Sequence, residues 1–175
     1  MEDKLILVAT CMANQGFVKE VRPFLTVSKG FWTDEGLWDA MKDVTPTGKT
    51  RLMYCAKDGK VERLNWLIKR GANMEAKGWN SYTYTALMWA CHQSRLECVI
   101  ALCEAGVNIE GTGNTYNGIT PLMLAAWWLK EDIVVELLRR GANKNAKSTD
   151  GKNASNYARL RGSHLFRVIN NFVKN

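Results

Sequence analysis

Three stretches of this chain align at a constant spacing of 35 residues, beginning at Thr50, Thr85 and Thr120. The first reads Thr50-Arg51-Leu52-Met53-Tyr54-Cys55-Ala56 and, after Leu67-Ile68-Lys69-Arg70, closes at Gly71-Ala72-Asn73. The second reads Thr85-Ala86-Leu87-Met88-Trp89-Ala90-Cys91 and closes at Gly106-Val107-Asn108. The third reads Thr120-Pro121-Leu122-Met123-Leu124-Ala125-Ala126 and closes at Gly141-Ala142-Asn143. A fixed period of this size constrains the fold more than any other feature. A unit so short cannot bury its own apolar face, so neighbouring units must stack and share one core.

Each copy carries its own helix punctuation. Thr120 is placed to cap a helix whose first residue is Pro121, where a missing N–H costs nothing. Leu122, Ala125 and Ala126 give that first helix an apolar stripe of small residues. Gly59 breaks the first helix of its copy, and Ser94 and Leu129 take the same slot in the next two. A second helix follows, with Leu64, Leu67 and Ile68 on one face, matched by Val99, Leu102, Cys103 and by Val134, Leu137, Leu138. Lys69-Arg70 and Arg139-Arg140 complement the negative end of that helix, and Gly71, Gly106 and Gly141 supply its left-handed stop. Polar connectors rich in Gly and Asn suit hairpin turns between the helix pairs.

The tandem motifs resemble the ankyrin repeat, whose signature is T-P-L-H-x-A-A followed by G-A-D-x-N. The third copy is the nearest match, with Met123 where the family has His. The resemblance implies an all-α solenoid of stacked helix-turn-helix units with projecting β-hairpin loops. It implies about three full repeats between degenerate caps, as a single domain over residues 1–175. Residues 3–30 form the N-terminal cap, in which Met12 to Gly16 maps onto Cys55 to Gly59. Residues 48–77, 78–111 and 112–147 form the repeats, and residues 148–175 the C-terminal cap, closed by Leu165, Val168, Ile169 and Phe172. The period exceeds the family's 33 residues, and both extra residues precede Thr85 and Thr120, which predicts long hairpin tips. Residues 31–47 are an insertion, predicted to contain a short helix that packs Trp38 and Met41 against the stack.

Bulk properties fit a stack of this kind. The chain has 46% hydrophobic and 23% charged residues, with no stretch near the ~20 apolar residues needed to span a bilayer. The start, Met1-Glu2-Asp3-Lys4 with apolar Leu5 to Ala9, reads as a capping helix because a signal peptide would lead with basic charge. The five cysteines include no C-x-x-C pair. Cys55 and Cys91 occupy small-residue slots, while Cys98 and Cys103 align with Ile133 and Leu138. They read as core hydrophobes in a reducing compartment, the cytoplasm or the nucleus.

The resemblance places variable, partner-facing positions on the hairpins and first helices. Those positions hold Trp79, Tyr82 and Tyr84 in one hairpin and Asn114, Tyr116, Asn117 and Ile119 in the next. On the first helices they hold Tyr54, Lys57 and Asp58, then Trp89, His92 and Gln93, then Leu124, Trp127 and Trp128. Aromatic side chains dominate binding hot spots, so partner binding is assigned to Trp79, Tyr82, Tyr84, Trp89, His92, Tyr116, Asn117, Trp127 and Trp128. Competing structural readings exist. Trp89 has two, core packing and binding. Trp127 and Trp128 point about 100° apart on a helix, which suits one for burial. Trp79, Tyr82 and Tyr116 have the alternative of packing together to stiffen the hairpins. Trp66 lies between core positions and reads as structural.

Catalytic constellations are sparse: two histidines, no H-E-x-x-H, no G-x-S-x-G. Thr45-Pro46-Thr47-Gly48-Lys49-Thr50 looks like the tail of a phosphate-binding loop, but Asp43 stands where the leading Gly is needed. The expected function is therefore a non-catalytic, monomeric protein-interaction module with no cofactor, no metal and no membrane span. One alternative is electrostatic: net charge is +7, and residues 139–175 hold nine Lys or Arg against Asp150 alone, a basic end suited to nucleic acid or another acidic partner. A second makes the chain a regulatory fragment of a larger protein. A third follows from the resemblance alone: Asn145 matches a hairpin Asn that is hydroxylated in some ankyrin repeats, while Glu75 and Glu110 replace it in the other copies.

Overall fold

A computed structural model describes residues 48–78, 84–112 and 117–173. The N-terminal cap, the insertion, and the hairpin residues Trp79, Tyr82 and Tyr116 lie outside the described residues. Eight helices are described: α1 (Arg51–Asp58), α2 (Val61–Lys69), α3 (Ala86–His92), α4 (Leu96–Glu104), α5 (Pro121–Trp127), α6 (Glu131–Arg139), α7 (Ala154–Leu160) and α8 (Leu165–Asn171). All belong to one compact unit, Thr50–Asn175.

The helices form two layers because each pair is built alike. α1, α3, α5 and α7 pack side by side in one layer, α2, α4, α6 and α8 in the other, and each pair also packs on itself. Every first-layer helix is started by a side chain. Thr50, Thr85 and Thr120, all buried, accept from the backbone N–H of Met53, Met88 and Met123 at 3.2, 3.3 and 3.3 Å. Asn153 starts α7 in the same way, and Asn156 returns the bond to the Asn153 N–H. Each cap satisfies a donor that the helix cannot satisfy itself.

The first-layer helices stop on left-handed residues at the aligned slot: Gly59 (φ 78°), Ser94 (φ 59°) and Leu129 (φ 56°). Lys60, Arg95 and Lys130 then donate back to the carbonyls of Cys55, Ala90 and Ala125, each at 2.9 Å. This six-to-one closure is the Schellman stop, normally given to glycine. A leucine there is strained.

The core is continuous between the layers. Leu52, Leu64, Leu87, Val99, Leu102, Leu122, Val134, Leu137, Leu165 and Ile169 are all buried within it. Cys55, Cys91 and Cys98 are buried as expected, whereas Cys103 is only partly covered. Burial pushes the Cys98 and Cys103 thiols up to about 11, which leaves them protonated and unreactive.

The connectors staple one repeat to the next. Glu75 Oε1 accepts from the Asn108 N–H at 2.8 Å, and Glu110 Oε1 accepts from the Asn143 N–H at 2.7 Å. Asn73 and Asn108 accept through Oδ1 from the Glu75 and Glu110 N–H groups, which holds the turns that aim those carboxylates, and Asn143 accepts likewise from the Asn145 N–H. At the last connector Lys144 Nζ donates to the carbonyls of Asn170 and Phe172, both at 2.9 Å, covering the end of α8. The hairpin before α7 is tied internally: Ser148 Oγ donates to Asp150 Oδ1 at 2.7 Å, and the Tyr157 hydroxyl reaches Ser148 Oγ at 3.0 Å.

Candidate functional site

Stacked first-layer helices bring side chains from successive repeats onto one face. The Tyr84 and Trp89 rings meet edge-on with centroids 5.3 Å apart. His92 lies 5.9 Å from each of them, one helical turn beyond Trp89. On the other side His92 meets Trp128 of the next repeat edge-on at 4.9 Å. Four rings from two repeats therefore form one run, with a fifth pair, Trp127 and Tyr157, edge-on at 6.0 Å in the following interface.

Within that run the residues differ in access. Trp89 is 5% exposed and sits in the core, so it supports its neighbours from beneath. Tyr84, His92 and Trp127 are half-buried. Trp128 is 42% exposed and Leu129, beside it, 41%. Their backbone explains the pairing: Trp128 is the last residue before the left-handed stop, and Leu129 is the stop. The helix ends by presenting two large apolar side chains to solvent. Asn117 is exposed, and its carbonyl accepts from the Thr149 N–H at 3.0 Å, joining adjacent connectors. Leu124 is buried in the core.

The charge around these rings is positive. Lys57 Nζ lies 5.8 Å from the Trp89 ring centroid, and Arg161 covers the Trp127 ring at 5.2 Å. Arg95 donates from Nε to the Lys57 carbonyl at 3.1 Å. Burial holds the His92 pKa below its ordinary value, and the ammonium groups of Lys130 and Lys57 push it the same way. The Gln93 side-chain amide lies 3.0 Å from His92 Nδ1.

The described residues contain no group of His, Cys, Asp and Glu able to hold a metal ion, and no described helix is long and apolar enough to cross a membrane. Two features escaped the sequence reading. Trp66, read there as structural, is 37% exposed on α2 with Arg70 stacked 4.2 Å over its ring. Leu129 was placed only as a helix breaker. Its slot, aligned with Gly59, marked a helix break, but its left-handed backbone and its exposure beside Trp128 emerge only in the folded stack.

The family model described as ankyrin repeats (3 copies) matches residues 10–112 and again residues 52–148. The chain belongs to the ankyrin-repeat family. Ankyrin repeats serve in general as protein-protein interaction modules without chemistry of their own. No curated protein matches this ankyrin chain at a significant level. The aromatic run lies on and beside the first-layer helices α3 and α5.

Proposed function

We propose that this ankyrin module is a non-catalytic adaptor that binds a partner protein through the ring-bearing face of α3 and α5. The observation that carries the reading is Trp128. It stands exposed at the end of α5, braced edge-on by His92, which is itself braced by Tyr84 and buried Trp89. An indole held in place by packed neighbours loses little freedom on binding, which favours affinity. With Leu129 it offers an apolar patch of the kind that partners cover. Half-buried Tyr84 and Trp127 extend the reading on either side of Trp128, while the sequence expectation for Asn117 and for the connector residues Trp79, Tyr82 and Tyr116 stands beside it as part of the same proposal. The protein acts as a monomer in the cytoplasm or nucleus, an address that the buried thiols of Cys55, Cys91 and Cys98 support.

The basic C-terminal end is the weaker reading. Arg140 is held by Glu136 at 2.6 Å and by Glu104 at 3.3 Å, and Lys152 by Asp150 at 2.7 Å. Lys144 caps α8, Arg161 covers Trp127, and Arg167 lies over Phe166 at 5.6 Å. Cations engaged in this way are poorly placed to hold phosphates.

Affinity capture with the intact chain against Trp128→Ala tests the proposal. The expected outcome is loss of the bound protein, worth roughly 1–4 kcal/mol of affinity, with thermal unfolding nearly unchanged because the indole is half in solvent. An unaltered set of captured proteins overturns the reading. Early unfolding of Trp128→Ala also overturns it, since the residue would then be serving the core.

A further inference from the structure

The aromatic face described above also carries positive charge. Lys57 at the end of α1 and Lys130 just after α5 belong to the repeats on either side of α3. Lys57 Nζ reaches to 5.8 Å from the Trp89 ring centroid. Both ammonium groups act on His92, and no carboxylate is among the charges that do. The nearest acids in sequence are Asp58, exposed at the end of α1, and Glu131, whose Oε2 lies 3.4 Å from His164 Nε2 toward the α7–α8 turn. Between the two lysines the floor is aromatic: His92, Tyr84 and the indole of Trp128.

We propose that the occupant of this face is an acidic segment of a partner protein, which sets an apolar or aromatic side chain against Trp128 and Leu129 and an Asp or Glu carboxylate between Lys57 and Lys130. The proposal rests on the protein-binding reading above and narrows it to one chemistry. A carboxylate gains from both ammonium groups, and it gains more on an aromatic floor than in open water because the rings displace solvent. A basic segment would meet two like charges there, and repulsion of the wrong partner is as much a source of specificity as attraction of the right one. The lysines remain partly solvated, so the pair need not lose its full hydration on contact.

Short synthetic peptides test this directly. One set carries a single Trp or Leu anchor flanked by Glu and Asp, a second replaces the flanks with Gln and Asn, and a third with Lys and Arg. Each is titrated into the full chain by calorimetry, beside a single-stranded oligothymidine of similar length. The acidic set is expected to bind about tenfold tighter than the basic set. The double variant Lys57→Gln/Lys130→Gln should weaken the acidic set by roughly three- to twentyfold and leave the neutral set unchanged. The control Arg159→Gln/Arg167→Gln should leave all sets unchanged. Equal affinity for the three sets overturns the proposal. So does an equal loss in the control, tighter binding of the oligonucleotide, or no binding by any peptide. If neutral and acidic peptides bind alike and both are lost in Trp128→Ala, the charge proposal falls while the protein-binding reading stands. If Trp128→Ala leaves peptide binding unchanged, the reading beneath it falls as well.

Discussion

Leu129 shows what one residue can reveal. It holds φ 56° at a slot that Gly59 fills in the first repeat and Ser94 in the second. A left-handed leucine costs about 1–2 kcal/mol relative to an unstrained one. Its partial burial offsets only part of that cost, because 41% of the residue stays in solvent. Strained residues held against their preference gather at functional sites. Leu129→Gly is expected to stabilise the fold by about 0.5–1 kcal/mol, read from the urea midpoint, since relief of strain exceeds glycine's greater entropy loss. The same substitution should weaken partner binding. A drop in the midpoint would mean that the leucine packs usefully.

His92 supplies a second residue-scale test. Its folded pKa lies below the unfolded value, so the unfolded chain binds the proton more readily. Stability should therefore be highest where the ring is neutral in both states and fall as pH drops through the unfolded imidazole's range, near 6.5. His92→Gln should flatten that part of the stability curve. An unchanged acid slope in that variant assigns the dependence to other groups.

At the scale of the element, each repeat is held by caps and staples as well as by apolar packing. Thr85→Ala removes the buried acceptor that starts α3 and should cost about 0.5–2 kcal/mol in chemical denaturation. Glu110 joins two repeats through the Asn143 N–H, a bond to a charged acceptor. Glu110→Ala is expected to cost about 1–2 kcal/mol and to speed amide exchange at Asn143 in particular. Slower exchange there, or no change, would show that the staple is incidental. Helix starts were legible in the chain because caps act locally: Thr120 before Pro121 needs no tertiary partner to be recognised. The carboxylate staples were not legible. Glu75 and Glu110 stood out only as replacements for an asparagine, and their acceptor role requires the next connector to arrive within hydrogen-bonding reach.

Across the whole described unit, stability is shared between neighbours, since each helix pair touches mainly the pairs beside it. α7 and α8 have a described neighbour on one side only. Leu165→Ala, at a fully buried position, should cost about 2–5 kcal/mol. It should let α7 and α8 exchange their amides before α3 and α4 do. Uniform loss of protection throughout would instead mark one cooperative unit.

The repeat period, the helix caps, the helix breaks and the apolar faces all followed from residue order alone. Each is a local or periodic property, and periodicity survives without knowledge of neighbours. The division of labour among the tryptophans did not follow. Trp89 is covered, Trp128 stands partly in solvent and Trp66 carries Arg70, although each stands in or at the end of a helix of the same repeat frame. Which ring is covered depends on where the adjacent repeat's helices come to rest, and only packing between residues about 35 positions apart decides that.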